Sequence, residues 1–154
     1  VTPRFYDSSD STAPVRAKKR GSHTVEAHLE AIDRLFAFDT VEEIFAALEK
    51  AATEWAMAQP ATLRTKSPQT LKVTFRQLRE GARMVSFGDE MRQEYGIACR
   101  VSAMHDFQEG VRAVIVDKDN APKWSPADLA GVSDEALDAL FAPLPADEAW
   151  TPLP

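Results

Sequence analysis

The chain has 154 residues, 44% of them hydrophobic and 27% charged, which is typical of one soluble globular domain with one core. The net charge of −6 argues against generic nucleic-acid binding, and no apolar run approaches the ~20 residues that span a bilayer. Cys99 is the only cysteine, which excludes an intrachain disulfide and fits a reducing compartment; we expect a cytoplasmic protein with no membrane partner.

Residues 1–26 show no hydrophobic periodicity and predict a linker or a disordered basic arm. The basic run from Arg16 to Arg20 has two interpretations, a solvated linker or a contact with nucleic acid or a targeting receptor. We favour the linker and expect no nucleic-acid partner.

Helical periodicity over residues 27–36 predicts a first helix. Thr40 and Glu43 have the spacing of a capping box, in which the hydroxyl and the carboxylate each bind an otherwise unpaired backbone N–H group. They predict the start of a second helix, and a third begins at Thr53 or Glu54.

Ser67 followed by Pro68 predicts a strong helix start, because serine caps helices and proline suits their first turn. This helix should run to about Arg83. Its predicted buried stripe is Leu71, Phe75, Leu78 and Ala82, and a second face carries four cations, Lys72, Arg76, Arg79 and Arg83. Those cations either hold phosphates of a ligand or pair with the acidic segments before residue 64 and after residue 123.

Ser86 and Asp89 predict another capping box and a helix to about Ala103. The predicted inward residues are Phe87, Met91, Tyr95, Ala98 and Cys99. On this interpretation Cys99 is a buried small apolar residue and not a nucleophile.

The stretch from His105 to Trp124 predicts a loop, a helix and a second loop. Its helical apolar stripe consists of Val111, Val114 and Ile115. A polar turn over residues 117–120 includes Lys118, and Pro122 cannot continue the helix.

Asp106 and Glu109 lie on one side of this helix start. They form either an acid/base pair or, as we favour, two carboxylates that complement the positive end of the helix dipole. His105 is expected to be a polar cap or a hydrogen-bonding group. His23 and His28 lack a trusted metal-ligand spacing, so we expect no metal site.

Ser133 predicts a last helix with acidic residues in its first turn. Its predicted inner face is Leu137, Leu140 and Phe141. Residues 142–154 contain four prolines and predict an irregular tail. The expected fold is mainly α, with six or seven helices over residues 27–141. The apolar surface of these helices either closes on itself or needs a partner.

Two long motifs carry a resemblance to a known family. HDFQEGVRAVIVDKDNAPKW, at His105–Trp124, is similar to the pattern HDFxEGVRAxxxDKDxxPKW. SPQTLKVTFRQLREG, at Ser67–Gly81, is similar to SPxSLKVTxRQLREG. Both resemble the C-terminal part of 3-hydroxyisobutyryl-CoA hydrolases, a branch of the enoyl-CoA hydratase/isomerase (crotonase) superfamily. The resemblance covers residues 27–141.

The resemblance implies that the chain is the helical C-terminal part of a longer enzyme, an expectation that also fits a first residue, Val1, other than Met. Enzymes of this superfamily carry their chemistry in an N-terminal β/α core, where two backbone amides form an oxyanion hole for the thioester carbonyl. No position of this chain matches that core, so we expect no catalytic residue here. The expected partner is the core itself, in the same parent chain or as a separate fragment.

The resemblance further implies an acyl-CoA substrate, no separate cofactor, and a helical part that covers the active site or forms a homo-oligomer. Lys118 matches a lysine that reaches the CoA phosphate region in some relatives; the alternative is a simple turn lysine. Lys72 and Arg76 are further candidates for CoA phosphates.

The implied reaction of the parent is hydrolysis of 3-hydroxyisobutyryl-CoA in valine breakdown, with no activity in this part alone. One alternative is the C-terminal part of an enoyl-CoA hydratase/isomerase. A second is a non-catalytic helical interaction module, and nucleic-acid binding ranks last.

Overall fold

The computed structural model describes residues 25–151. Within these residues the chain forms seven α-helices and no strand. This confirms the expected mainly α fold. The helices are α1 (Leu29–Leu35), α2 (Val41–Lys50), α3 (Glu54–Leu63), α4 (Pro68–Gly81), α5 (Phe87–Val101), α6 (His105–Val111) and α7 (Asp134–Phe141). Short 3-10 helices cover Val25–His28 and Leu129–Gly131, and a π-helix, Arg112–Val116, continues α6.

Side-chain caps begin four of these helices where the sequence predicts them. The Thr40 hydroxyl accepts from the backbone N–H of Glu43 at 3.1 Å, and the Glu43 carboxylate accepts from the Thr40 N–H at 3.0 Å. The capping box of α2 is therefore confirmed. The hydroxyls of Thr53, Ser67 and Ser133 each accept from the backbone N–H three residues later and cap α3, α4 and α7.

The capping box predicted at the start of α5 is wrong. The side chain of Ser86, the residue before α5, makes no cap hydrogen bond. The carboxylate of Asp89 pairs instead with Arg92 at 2.7 Å. Arg92, one helical turn later, thus binds the Asp89 carboxylate that the capping box requires.

Two buried clusters stabilise the fold, and α4 lies between them. The first joins α1, α2 and α3 through Leu35, Ile44, Leu48 and Ala56, with Phe75 of α4 packed against it. The second joins α4, α5 and α7 through Val73, Ile97, Val132, Leu137 and Leu140. The predicted inner face of α7 is therefore confirmed.

The buried stripe predicted for α4 is wrong in part. Val73 is buried, whereas the predicted Leu78 is 70% exposed. Ala82 lies beyond the end of α4 and is exposed. The helix uses the face that carries Val73 because α5 and α7 pack there.

The inward face predicted for α5 is also wrong. Gly96 and Ile97 are its buried residues, whereas Phe87, Tyr95 and Cys99 are exposed. Ile97 packs against α7, and Cys99, two residues on, points about 200° around the helix from it. Burial of Cys99 was therefore a wrong expectation.

The predicted arm over residues 1–26 lies outside the described residues except for its last two, which belong to the first 3-10 helix. The basic run from Arg16 to Arg20 also lies outside them. At the other end, α7 ends at Phe141, and residues 142–151 form turns and bends. No helix within residues 25–151 has the length and apolarity needed to cross a membrane.

Candidate functional site

The start of α6 is held by a buried carboxylate. Asp106 is 5% exposed and accepts from the Ser67 hydroxyl at 2.5 Å and from the Ser125 backbone N–H at 2.8 Å. His105 Nδ1 lies 3.0 Å from the same carboxylate. Asp106 therefore links the start of α4, the start of α6 and the loop after Trp124. It lies in the first turn of α6, as predicted, and its burial between three segments is an additional finding.

Arg112 is the centre of an ion-pair network at the other end of α6. Its Nε and Nη2 donate to the two carboxylate oxygens of Glu109 at 2.8 and 2.9 Å. Its Nη1 donates to Asp117 and Asp119, each at 2.7 Å. Nη2 also donates to the carbonyl of Ala121 at 3.3 Å. One guanidinium thus pairs with three carboxylates and offsets part of their negative charge.

The network shifts the acidity of its members. Hydrogen bonds from the Arg112 side chain, and then from the Lys123 backbone N–H, lower the pKa of Glu109 from 4.5 to about 2. The Arg112 side chain and the Ala121 backbone N–H likewise lower the pKa of Asp119. Glu109 is therefore fully ionised near neutral pH.

This arrangement disfavours the alternative of an acid/base pair. A general acid or base works best when its pKa lies near the working pH, and that of Glu109 is far below it. The carboxylate of Asp106 is surrounded by the groups it binds. Both residues instead bind groups of neighbouring segments and hold this part of the chain together.

The turn after the π-helix has an unusual backbone. Lys118 and Asn120 adopt the left-handed conformation, with φ of 57° and 53°. Asparagine tolerates this conformation, but it is uncommon for lysine and persists where the surroundings hold it. Lys118 is exposed at this turn, between the two aspartates that bind Arg112.

Trp124 ends the segment by packing on α6. Its indole Nε1 donates to the carbonyl of Thr65 at 3.1 Å. A Cβ atom added at Gly110 would lie 3.4 Å from the indole ring, so the ring lies directly beside this turn of α6. Trp124 therefore holds the end of the segment against α6 and against the residues before α4.

The predicted apolar stripe of this segment is not buried. Its side chains, with those of two neighbours, are between 40% and 67% exposed. They are Phe107, Val111, Val114, Ile115 and Val116, and we call them the α6 apolar face. Only Ala113 of the π-helix is buried. Helical spacing correctly predicted that these apolar residues share one face, but nothing within residues 25–151 covers that face.

The basic face of α4 is largely paired with acidic residues. Lys72 Nζ lies 2.8 Å from Glu42, and the Lys72 side chain is only 17% exposed. Arg76 binds Glu80 and Asp138 at 2.7 and 2.6 Å. Arg79 binds Asp39 at 2.6 Å. The interpretation of this face as pairing with the acidic segments is therefore confirmed, and phosphate contact at Lys72 and Arg76 stays a prediction.

Arg112 is the residue of this site that sequence reasoning missed. Two signals were present, namely Glu109 three residues before it and the acidic pair at Asp117 and Asp119 after it. The pairs with those aspartates span five and seven residues and require the chain to turn back after the π-helix. Helical spacing alone does not predict that return.

Comparison with known proteins defines the class. Residues 5–141 match the family described as enoyl-CoA hydratase/isomerase. The match covers most of the chain, which therefore belongs to the enoyl-CoA hydratase/isomerase family.

Curated relatives within this family indicate a particular branch. The chain is 48% identical over 141 residues to a 3-hydroxyisobutyryl-CoA hydrolase, mitochondrial, from Danio rerio, covering 92% of this chain and 36% of the relative. It is 40% identical over 123 residues to the human protein of that name, covering 80% and 32%. The chain spans about a third of the length of these relatives.

Solved structures confirm the crotonase-type fold of this part. A carnitinyl-CoA dehydratase from Mycobacterium thermoresistibile is 37% identical, with a TM-score of 0.73 over 79% of this chain and 35% of that one. An enoyl-CoA hydratase from Rhodobacter sphaeroides 2.4.1 is 35% identical, with a TM-score of 0.74 over 82% and 37%. The similarity again covers about a third of each longer chain.

Proposed function

We propose that this chain is the helical C-terminal part of an enzyme that hydrolyses 3-hydroxyisobutyryl-CoA in valine breakdown. It packs on the β/α core of that enzyme and covers the active site, and it has no activity alone. We call this chain together with that core the parent protein. The observation that carries the proposal is the α6 apolar face, which lies in the longer of the two motifs and is exposed in the described residues.

The energetics of that face support a covering partner. Burying one large aliphatic or aromatic side chain contributes about 1.5–3 kcal/mol. About half of each of the five side chains is exposed, so covering them would contribute roughly 5 kcal/mol. A β/α core fits as the partner because the match covers only about a third of the relatives' length.

Substitution within the face tests the docking step. Ile115 and Met57 are 64% and 63% exposed, so Ile115→Glu and Met57→Glu place a charge at equally exposed positions. We expect both variants of this chain to keep their helical circular dichroism. In the parent protein, Ile115→Glu should abolish thioester hydrolysis and Met57→Glu should retain it. Full activity of Ile115→Glu would contradict docking through this face.

Product analysis tests the reaction. The parent protein should release free thiol from 3-hydroxyisobutyryl-CoA and should not hydrate crotonyl-CoA at a comparable rate. The names of the curated relatives support hydrolysis. Hydration of crotonyl-CoA without thiol release would favour the alternative of an enoyl-CoA hydratase/isomerase, which the two solved relatives of dehydratase and hydratase type support.

We further propose that Lys118 contacts a phosphate of CoA. Its exposed ammonium is a compact charge suited to a phosphate oxygen. Lys72 and Arg76 would have to leave Glu42, Glu80 or Asp138 to do the same. We therefore rank Lys118 first among the three candidates.

Location and assembly stay predictions. The zebrafish and human relatives are named as mitochondrial, which does not support the expected cytoplasmic location. Fluorescence microscopy of the tagged parent protein decides between the two compartments. Light scattering of the same protein tests the expected homo-oligomer.

A further inference from the structure

The turn that presents Lys118 places two negative charges beside it. Asp117 and Asp119 flank the lysine in sequence, and each binds Arg112 Nη1 at 2.7 Å. Left without a cation, these carboxylates would oppose the approach of a phosphate to the ammonium. Arg112, which also pairs with Glu109, offsets part of this negative charge, so the carboxylates oppose a phosphate at Lys118 less than they would without the guanidinium.

The same guanidinium fixes the shape of the turn. Arg112 is anchored on α6 by a bidentate pair with Glu109, and it reaches the Ala121 carbonyl on the far side of the turn. Glu109 also accepts from the Lys123 backbone N–H at 2.7 Å. Both ends of the turn are thereby tied to α6, and Lys118 is held in a left-handed conformation that lysine rarely adopts.

We propose that Arg112 is a positioning residue for phosphate binding at Lys118, acting by fixing the turn and by offsetting part of the negative charge of Asp117 and Asp119. This inference rests on the proposed contact between Lys118 and CoA. It predicts that a residue that does not itself touch the ligand controls recognition of the phosphate-bearing part of the substrate.

The experiment uses the parent protein and two substrates, 3-hydroxyisobutyryl-CoA and the pantetheine thioester of the same acyl group, which lacks every phosphate. The readout is the KM of each variant for the two substrates. Lys118→Ala should raise KM for the CoA thioester about three- to tenfold, the range for loss of a partly exposed charge-assisted contact. Arg112→Gln should raise it by a similar factor, and KM for the pantetheine thioester should change little in either.

A second set of variants separates positioning from general damage. Arg92→Gln removes another arginine that pairs at a spacing of three, with Asp89, and should leave the KM ratio of the two substrates unchanged. Arg112→Gln combined with Asp117→Asn and Asp119→Asn removes the uncompensated charges and should recover part of the lost affinity. If Arg112→Gln does not fold, Arg112→Lys keeps the charge but loses the bidentate pair with Glu109, so it tests the fixing of the turn alone.

The outcomes distinguish the inference from the proposal beneath it. A raised KM for the CoA thioester in Lys118→Ala, with an unchanged KM in either Arg112 variant, would overturn the positioning role and leave the phosphate contact standing. No shift in Lys118→Ala would overturn the phosphate contact and the positioning role together, whatever the parent hydrolyses. Equal shifts in the single variants, with no further increase in Lys118→Ala/Arg112→Gln, would support the inference.

Discussion

Replacing Asp106 by alanine should destabilise the chain more than replacing any exposed carboxylate. The substitution removes a buried group that accepts from the Ser67 hydroxyl and the Ser125 N–H, at 2.5 and 2.8 Å. Both donors would lose their partner inside the structure. The Ser67 hydroxyl would still accept from the Thr70 N–H, so α4 keeps its cap.

The magnitude follows from these two contacts. A hydrogen bond to a charged group contributes about 1.5–3 kcal/mol to stability. The Ser125 N–H is only partly buried, so water can replace some of its loss. We therefore expect the free energy of unfolding to fall by about 3–4 kcal/mol, which for a domain of this size lowers Tm by roughly 10 °C.

Urea unfolding of the 154-residue chain, followed by circular dichroism, measures this change. Asp134→Ala is the matched control, because Asp134 also lies in the first turn of a helix but is exposed. Asp134→Ala should lower the free energy of unfolding by less than about 1 kcal/mol, the size of a helix-dipole contribution. Ser67→Ala combined with Asp106→Ala should cost clearly less than the sum of the single changes. Equal losses in Asp106→Ala and Asp134→Ala, or strict additivity with Ser67→Ala, would refute the buried link.

Three further predictions use the same unfolding assay. Thr40→Ala should lower the free energy of unfolding by about 1 kcal/mol because it removes a side-chain cap. Ser86→Ala should change it by less than about 0.5 kcal/mol relative to the unsubstituted chain, because the Ser86 hydroxyl caps nothing. Equal losses in the two variants would contradict the assigned caps. The folded state lowers the pKa of Glu109 from 4.5 to about 2, so its stabilisation is complete above the unfolded pKa and is lost as pH falls from 4.5 towards 2. Glu109→Gln should therefore flatten the loss of stability over that pH range, and an unchanged slope would contradict the shift. Gly96→Ala should stabilise the chain by about 0.5–1 kcal/mol through helix propensity, because the new Cβ would meet Leu144 at an ordinary 3.6 Å; a destabilised variant would show that the contact is already too tight.

Local chemistry was the part of this fold that sequence predicted well. Thr40, Ser67 and Ser133 cap their helices where expected, because a cap involves only the next three residues. The failed box at Ser86 shows the limit of the rule, since Asp89 found a competing partner in Arg92. Helix starts were therefore predictable, whereas the capping hydrogen bonds were predictable only where no other side chain bound the capping residues.

Periodicity predicted the buried face of α7 but not the buried faces of α4 and α5. Helix α5 has one apolar set that includes Tyr95 and Cys99 and another around Ile97, and only contact with α7 selects the second. On α6 the periodic stripe is correct, yet Ile115 is exposed within residues 25–151. A helical pattern identifies a face able to pack, and the partner of that face depends on contacts far away in sequence.

The sequence predicted the turn that carries Lys118, but not the ion pairs that hold this turn. The motif from His105 to Trp124 drew attention to Lys118, and the structure adds Arg112 as the residue that organises the turn around it. Asp106 was identified as a first-turn carboxylate, but its bond to Ser67 spans 39 residues. Such links depend on how α4 and α6 meet, which no local pattern contains.

Free-thiol release from 3-hydroxyisobutyryl-CoA tests the central claim most directly. It should be measured on this 154-residue chain alone, on the β/α core alone and on the two combined, with intact mass checked on each sample. Our account predicts no release by this chain alone and turnover only when the core is present with it. Clear turnover by this chain alone, at the correct mass, would contradict the account and would make His105, Asp106 and Glu109 the first residues to replace.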